Sequence, residues 1–227
     1  MTRNPEKHMP YFDVLEALAK TPECALCALE SESLKRYFDA LLYEMVNDPK
    51  VRGELAYSKG YCHRHAHMLL DCHSSFGTGI LYQDQVAAFV QCLTGFSSTE
   101  WRRTPVSIAR KWNAHDGCPA CVIQVESRQR SVSVFLEGMT EPDMRAAFER
   151  SAGFCVPHFF IVMECAKTSD MRAYITRVHK EKYAELATDL GEFERKNDYR
   201  FTNETMGKEK DSWSRAVKMI AGARGLF

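Results

Sequence analysis

The chain has 227 residues, 45% hydrophobic and 26% charged, with 30 basic residues against 30 acidic ones. These figures describe a globule of one or two domains, exclude disorder, and leave no electrostatic case for a general binder of nucleic acid or anionic membranes. No apolar run approaches the ~18 residues of a membrane span and residues 1–10 are polar, so the expected compartment is the reducing cytoplasm, where nine cysteines point to metal or redox chemistry before disulfides.

In chain order, residues 10–20 carry Phe12, Leu15, Leu18 and Ala19 at helical spacing, and 25–46 read as one long helix. Asp48-Pro49 is a helix start, with Asp as N-cap and Pro in the first turn; that helix runs to about Ser58 and Gly60 ends it. Cys62 opens a helix to about Asp71, and a loop with Ser74, Ser75, Gly77 and Gly79 precedes a helix over 80–93. The Ser/Thr/Gly-rich stretch 94–104 reads as a linker. A second series follows: helices near 105–113 and 120–137, a Glu141-Pro142 start, Gly153, and a helix near 156–167. A long charged helix over 170–196 and an amphipathic one over 208–221, with Trp213, Ala216, Val217 and Ile220, complete the chain. Nothing alternates at period two, so the expected class is all-α. The expected segments are 1–97, 98–168 and a helical extension 169–227, all in one globular domain.

Cysteine spacing carries the strongest signal. Cys24-Ala-Leu-Cys27 is followed by Gly60-Tyr61-Cys62-His63-Arg64-His65, and Cys118-Pro119-Ala120-Cys121 by Gly153-Phe154-Cys155-Val156-Pro157-His158. Both sets obey C-x2-C, a gap of 33 or 34 residues, then G-aromatic-C-x2-H, and their four ligand positions differ by 94, 94, 93 and 93. Glu32-Ser33 and Glu126-Ser127, Pro49 and Pro142, and Arg52 and Arg145 recur at the same offset, which points to an internal duplication. Donors at i and i+3 in a first helical turn lie on one side and reach one ion, and the helix N-terminus favours thiolate.

Two Cys3His sets are therefore expected: Cys24, Cys27, Cys62 and His65, and Cys118, Cys121, Cys155 and His158. Pairing across the repeats satisfies the same donors, but the matching internal gaps favour pairing within each. Four donors with no vacancy describe a structural tetrahedral zinc site, so two zinc ions are expected. Three thiolates and an imidazole can also hold an iron–sulfur cluster, the alternative.

Other candidates read as structural. Cys72, Cys165 and Cys92 are expected in the core, and His63 and His67 on a solvated face because Val156 and Phe160 replace them in the second set. His73, His115 and His179 lack a constellation. Glu44 with Arg52, and Glu137 with Arg145, read as salt bridges or as support for the ligands, ahead of a functional acid. Trp101-Arg102-Arg103 and Trp112 read as linker anchors. No phosphate-loop, dinucleotide, serine-hydrolase or zincin motif occurs, and the reading leans away from an enzyme.

The duplicated pattern, CALC…GYCHRH and CPAC…GFCVPH, resembles an uncharacterised bacterial family of soluble, helical proteins rich in CxxC and GFCxxH motifs. The likeness covers most of the chain, including the Asp211-Ser212-Trp213 helix, and departs from the pattern in the extra histidines around Cys62. It reinforces the metal-site residues and implies no activity. The expectation is a non-enzymatic interaction or accessory protein with a protein partner bound by the 170–223 helices, and an iron–sulfur redox carrier or sensor as the alternative.

Overall fold

The structure is a computed structural model that describes residues 9–94, 112, 117–201 and 203–227. Among these residues every regular element is helical and no strand occurs, as expected for an all-α chain. The helices are α1 (Met9–Lys20), α2 (Ala25–Ala40), α3 (Pro49–Ser58), α4 (His63–Leu70), α5 (Ser75–Thr94), α6 (Pro119–Gly138), α7 (Pro142–Arg150), α8 (Val156–Cys165), α9 (Ser169–Lys196) and α10 (Ser212–Ala221).

The local chemistry sets their ends. Asp48 accepts from the Lys50 and Val51 backbone N–H groups and so caps α3, with Pro49 in the first turn where its missing N–H costs nothing. Thr168 caps α9 in the same way through Met171 N–H. Lys59 and Gly60, at φ 58° and 92°, turn the chain left-handed after α3. A π turn over Leu41–Met45 extends α2, in place of a continuous α-helix to residue 46.

One expected loop is helix. α5 starts at Ser75, so Gly77 and Gly79 lie inside it. A Cβ on Gly77 would stand 3.0 Å from Leu42 and 3.3 Å from Val46, so this glycine serves close helix packing and not a turn. The expected helix near 105–113 and the linker 94–104 lie outside the described residues, apart from Thr94, the last residue of α5, and the helical Trp112.

The chain forms two compact units, one of Met1–Ser31 with Ser127–Phe227 and the other of Glu32–Glu126. The boundaries fall inside α2 and α6.

In the first unit α1 packs on α7, and α10 on α8 and α9. Its core holds Val14, Leu18, Met139, Met144, Ile175 and Val178 around an aromatic trio, with the Phe135 ring 5.0 Å from Phe148 and 4.8 Å from Phe154. Full burial of each such ring contributes roughly 1.5–3 kcal/mol. In the second unit α3, α4 and the π turn pack on α5, over Leu34, Phe38, Leu41, Leu55, Leu69 and Leu81. Tyr61 packs edge-on against Phe38 at 5.4 Å, and its hydroxyl lies 2.9 Å from that of Tyr37.

Candidate metal centres

Each of the four motifs delivers its donors in the same way. The carbonyls of Cys24, Cys62, Cys118 and Cys155 accept the first helical hydrogen bonds of α2, α4, α6 and α8, from the N–H groups of Ala28, Ala66, Val122 and Phe159. Cys62 and Cys155 are the N-cap residues of their helices and share one backbone conformation, φ −62°, ψ 163° and φ −63°, ψ 159°. The second donor of each motif, three residues on, lies in the first turn, so both face the same point. The thiols therefore stand at positive helix ends, where the dipole favours thiolate.

The donors converge as two quartets, Cys24, Cys27, Cys155 and His158 in the first unit and Cys62, His65, Cys118 and Cys121 in the second. In each, all four donor atoms lie within 4.8 Å of one another, an arrangement that can hold a metal ion. The first quartet brings His158 Nδ1 to 3.4 Å from Cys24, 3.4 Å from Cys27 and 3.3 Å from Cys155, with Cys27 and Cys155 sulfurs 3.6 Å apart. In the second, His65 Nδ1 lies 3.3 Å from Cys62, 3.6 Å from Cys118 and 3.3 Å from Cys121, and Cys62 and Cys121 sulfurs are 3.7 Å apart.

All eight expected donors fall in the two quartets, but the expected pairing is corrected: each C-x2-C meets the C-x2-H of the other motif set. Helix length gives the reason. α2 and the π turn span 21 residues, which rise about 30 Å, against about 15 Å for the 10 residues of α3, so the segment between Cys27 and Cys62 is not a pair of equal helices. The 20 residues of α6 and 9 of α7 repeat the mismatch.

The surroundings of the two quartets differ. His158 Nε2 lies 2.7 Å from Glu30 Oε1, and Arg128 donates to both Glu30 oxygens, at 2.6 and 2.9 Å. Glu30 is fully buried, so Arg128 balances a carboxylate that could not otherwise stay charged. A carboxylate on the far nitrogen fixes the tautomer that presents Nδ1 and strengthens it as a donor. His65 is equally buried, but among the described residues none stands within hydrogen-bond distance of its Nε2. The place of Glu30, three residues after the second cysteine, is taken here by Gln124, a neutral amide that favours the charged form of His65.

Burial opposes charge on His158, but its hydrogen bonds to Cys155, Cys24 and Glu30 outweigh that and hold its pKa up to about 11. Burial likewise opposes the Cys24 thiolate, yet hydrogen bonds from Cys155, Cys27 and His158 hold it well below the usual thiol range. Cys27, which shares its hydrogen bonds with Cys155 and Cys24, is pushed up. In the other quartet Cys62 is lowered: burial is outweighed by the His65 backbone N–H and by Cys121 and Cys118. Cys121 is pushed up to about 12 by burial and by Cys118. Burial and the Arg64 charge lower His65. In each cluster one thiol is thus lowered and a neighbour raised, as expected of like groups crowded together.

Residues 6–225 match the family described as "Family of unknown function (DUF6062)". The chain belongs to the DUF6062 family. It is also similar to the "Uncharacterized 23.9 kDa protein in xynA 3'region" of Caldicellulosiruptor sp. (strain Rt8B.4), 25% identical over 212 residues that span 90% of this chain and 98% of that protein. No solved structure matches it. The expected likeness to an uncharacterised family thus stands as membership of DUF6062, over nearly the whole chain.

Several residues of this DUF6062 chain take roles that differ from expectation. Glu44 and Glu137 are exposed and pair with neither arginine: Arg52 makes a bidentate pair with Asp84 at 2.7 Å, and Arg145 donates to the Met139 carbonyl. The acid that supports a ligand is Glu30, detectable in the sequence only as a third residue on the Cys24–Cys27 stride. His179 is structural as well. Its Nε2 accepts the Phe154 N–H at 2.9 Å while Nδ1–H donates to the Ile175 carbonyl, so a neutral ring holds the turn that presents Cys155. Burial lowers its pKa, consistent with that neutral form.

His63 and His67 are exposed, their rings 4.6 Å apart, as expected of a solvated face. Cys165 is exposed, and Cys72 and Cys92 are half-buried, so none is a core cysteine. Trp112 packs edge-on against Phe89 at 4.7 Å; Trp101, Arg102, Arg103 and His115 lie outside the described residues. Among the described residues no helix is long and apolar enough to cross a membrane.

Proposed function

We propose that each quartet binds one tetrahedral zinc ion, and that the two ions clasp remote segments of the chain into a scaffold that binds another protein. The donor spacing carries this reading. A tetrahedral zinc with Zn–S ~2.3 Å and Zn–N ~2.0–2.1 Å sets S···S edges near roughly 3.8 Å and S···N edges near roughly 3.5 Å. The Cys27–Cys155 and Cys62–Cys121 sulfurs stand 3.6 and 3.7 Å apart, the sulfur–nitrogen distances are 3.3–3.6 Å, and all donors of a quartet lie within 4.8 Å of one another. A [4Fe–4S] cluster gives each protein donor its own iron and a [2Fe–2S] cluster divides four donors between two irons, so either spreads the donors apart, whereas this spacing, with one nitrogen close to all three sulfurs, favours a single ion. Three thiolates and one imidazole leave no position for water or substrate, which supports a structural role over catalysis.

Partner contact is assigned to the C-terminal helices. α10 turns Trp213, Val217 and Ile220 outward, each more than half exposed, while Ser212 and Met219 face the core. Apolar residues repeating at i, i+4 and i+7 on an outward face suit a protein surface better than nucleic acid or an anionic membrane. Elemental analysis of anaerobically purified protein tests the metal reading. Colourless protein with two zinc ions per chain is expected; brown protein with iron and acid-labile sulfide would overturn it.

A further inference from the structure

Resting on the reading that each quartet holds one zinc ion, the two centres differ in how their ions are kept. We propose that the Cys62, His65, Cys118, Cys121 centre is the exchangeable one: it trades its zinc with thiol or chelating ligands in solution, while the Cys24, Cys27, Cys155, His158 centre retains its own.

The retained centre is closed on every side the structure describes. Cys24, Cys27, Cys155 and His158 are each at most 5% exposed. The segment after α10 folds over them. Ala223 N–H donates to Cys27 Sγ at 3.4 Å, the Phe227 ring packs edge-on against His158 at 4.9 Å, and the Arg128 guanidinium lies over that ring. Gly222, at φ 83°, lets the chain double back so closely that a Cβ there would meet the Phe227 ring at 2.5 Å. Beneath this cover, Glu30 fixes His158.

Among the described residues the other centre has neither feature. Cys62 and Cys121, neighbours at 3.7 Å, are both half-buried, so two of its four donors form an edge less shielded than any in the first quartet. Among the described residues no carboxylate stands on the Nε2 of its histidine, where Gln124 is a neutral amide. Losing such a partner weakens metal binding by ~10–100-fold. An incoming thiolate reaches the ion across the Cys62–Cys121 edge. One metal–sulfur bond forms as one of those two breaks, the displaced thiolate takes a proton from water, and no electrons move.

Protein loaded with two zinc ions per chain is mixed with an excess of the chromogenic chelator 4-(2-pyridylazo)resorcinol. Release in two phases of one equivalent each is expected, separated by at least about ten-fold in rate. Cys121→Ser removes the fast phase and leaves the slow one. Gln124→Glu, which offers His65 a carboxylate, slows the fast phase, and Phe227→Ala speeds the slow one. Release of both equivalents at one rate, or loss of the slow phase in Cys121→Ser, overturns the proposal. Should Cys121→Ser fail to fold, an unchanged fast phase in Gln124→Glu overturns it equally. Protein holding no zinc overturns the metal reading itself.

Discussion

The two quartets are built from the same four donor types on the same helical corners, yet one imidazole leans on a buried carboxylate and the other only has a neutral amide beside it. In the first unit Glu30 and Arg128 form a charged pair behind His158, and Phe227 closes the front. In the second, Gln124 stands where the acid would be, and Cys62 and Cys121 reach solvent. Identical ligands therefore do not make equivalent centres; the groups that touch the ligands decide how firmly each holds an ion.

The comparison can be broken most sharply at the ligands. Cys24→Ser removes a donor from the sealed quartet and should cost roughly 5 kcal/mol or more, about 10–20 °C in Tm, with loss of one metal equivalent. Cys121→Ser should cost less than half of that, and calorimetry with metal analysis checks both. Equal losses would erase the distinction. Next in size is Glu30→Ala, which leaves Arg128 and His158 without their buried counter-charge and should cost about 3–5 kcal/mol in chemical denaturation. Gln124→Ala should cost no more than about 1–2 kcal/mol.

Gly222→Ala tests the cover. A side chain at that φ, against Phe227, should destabilise by about 2–3 kcal/mol and speed zinc release from the first quartet only. The smallest contrast lies at the helix starts. Asp48 caps α3 through its carboxylate whereas Glu141, its counterpart, makes no side-chain cap on α7. Asp48→Ala should cost about 1 kcal/mol, and Glu141→Ala less than about 0.5 kcal/mol, read from urea midpoints.

The helices and all eight donors are legible in the sequence, because apolar periodicity and the i, i+3 spacing of Cys24–Cys27 or Cys155–His158 act over one or two turns. The pairing is not. Joining Cys27 to Cys155 across 128 residues instead of to Cys62 across about 35 costs only about 1 kcal/mol more in loop closure. That is too little to leave a trace in spacing, and the rigid lengths of α2 and α6 decide it. Glu30 is hidden for a different reason. Residues common to both motif sets, such as Glu44 and Arg52, stand out in the sequence, whereas a position with an acid in one set and an amide in the other does not. Gly77 reads as loop punctuation because the sequence alone does not distinguish a glycine that turns the chain from one that admits Leu42. The residues after Gly222 have no periodicity at all, so their place over His158 emerges only from the fold.

The ligand order along the chain nests one centre inside the other, as brackets within brackets: Cys24 and Cys27 open first, and Cys155 and His158 close last. On the ribosome, the bracketed pair Cys62–His65 gains its partners when Cys121 is made. Cys24 and Cys27 must wait a further 37 residues (158 − 121), roughly 2–7 s at ordinary elongation speeds. For that interval the nascent chain carries a vicinal dithiol that has no native partner. Synthesis in a reducing, zinc-buffered milieu should therefore govern the yield of correctly closed protein, and slowing translation between residues 121 and 158 should lower it.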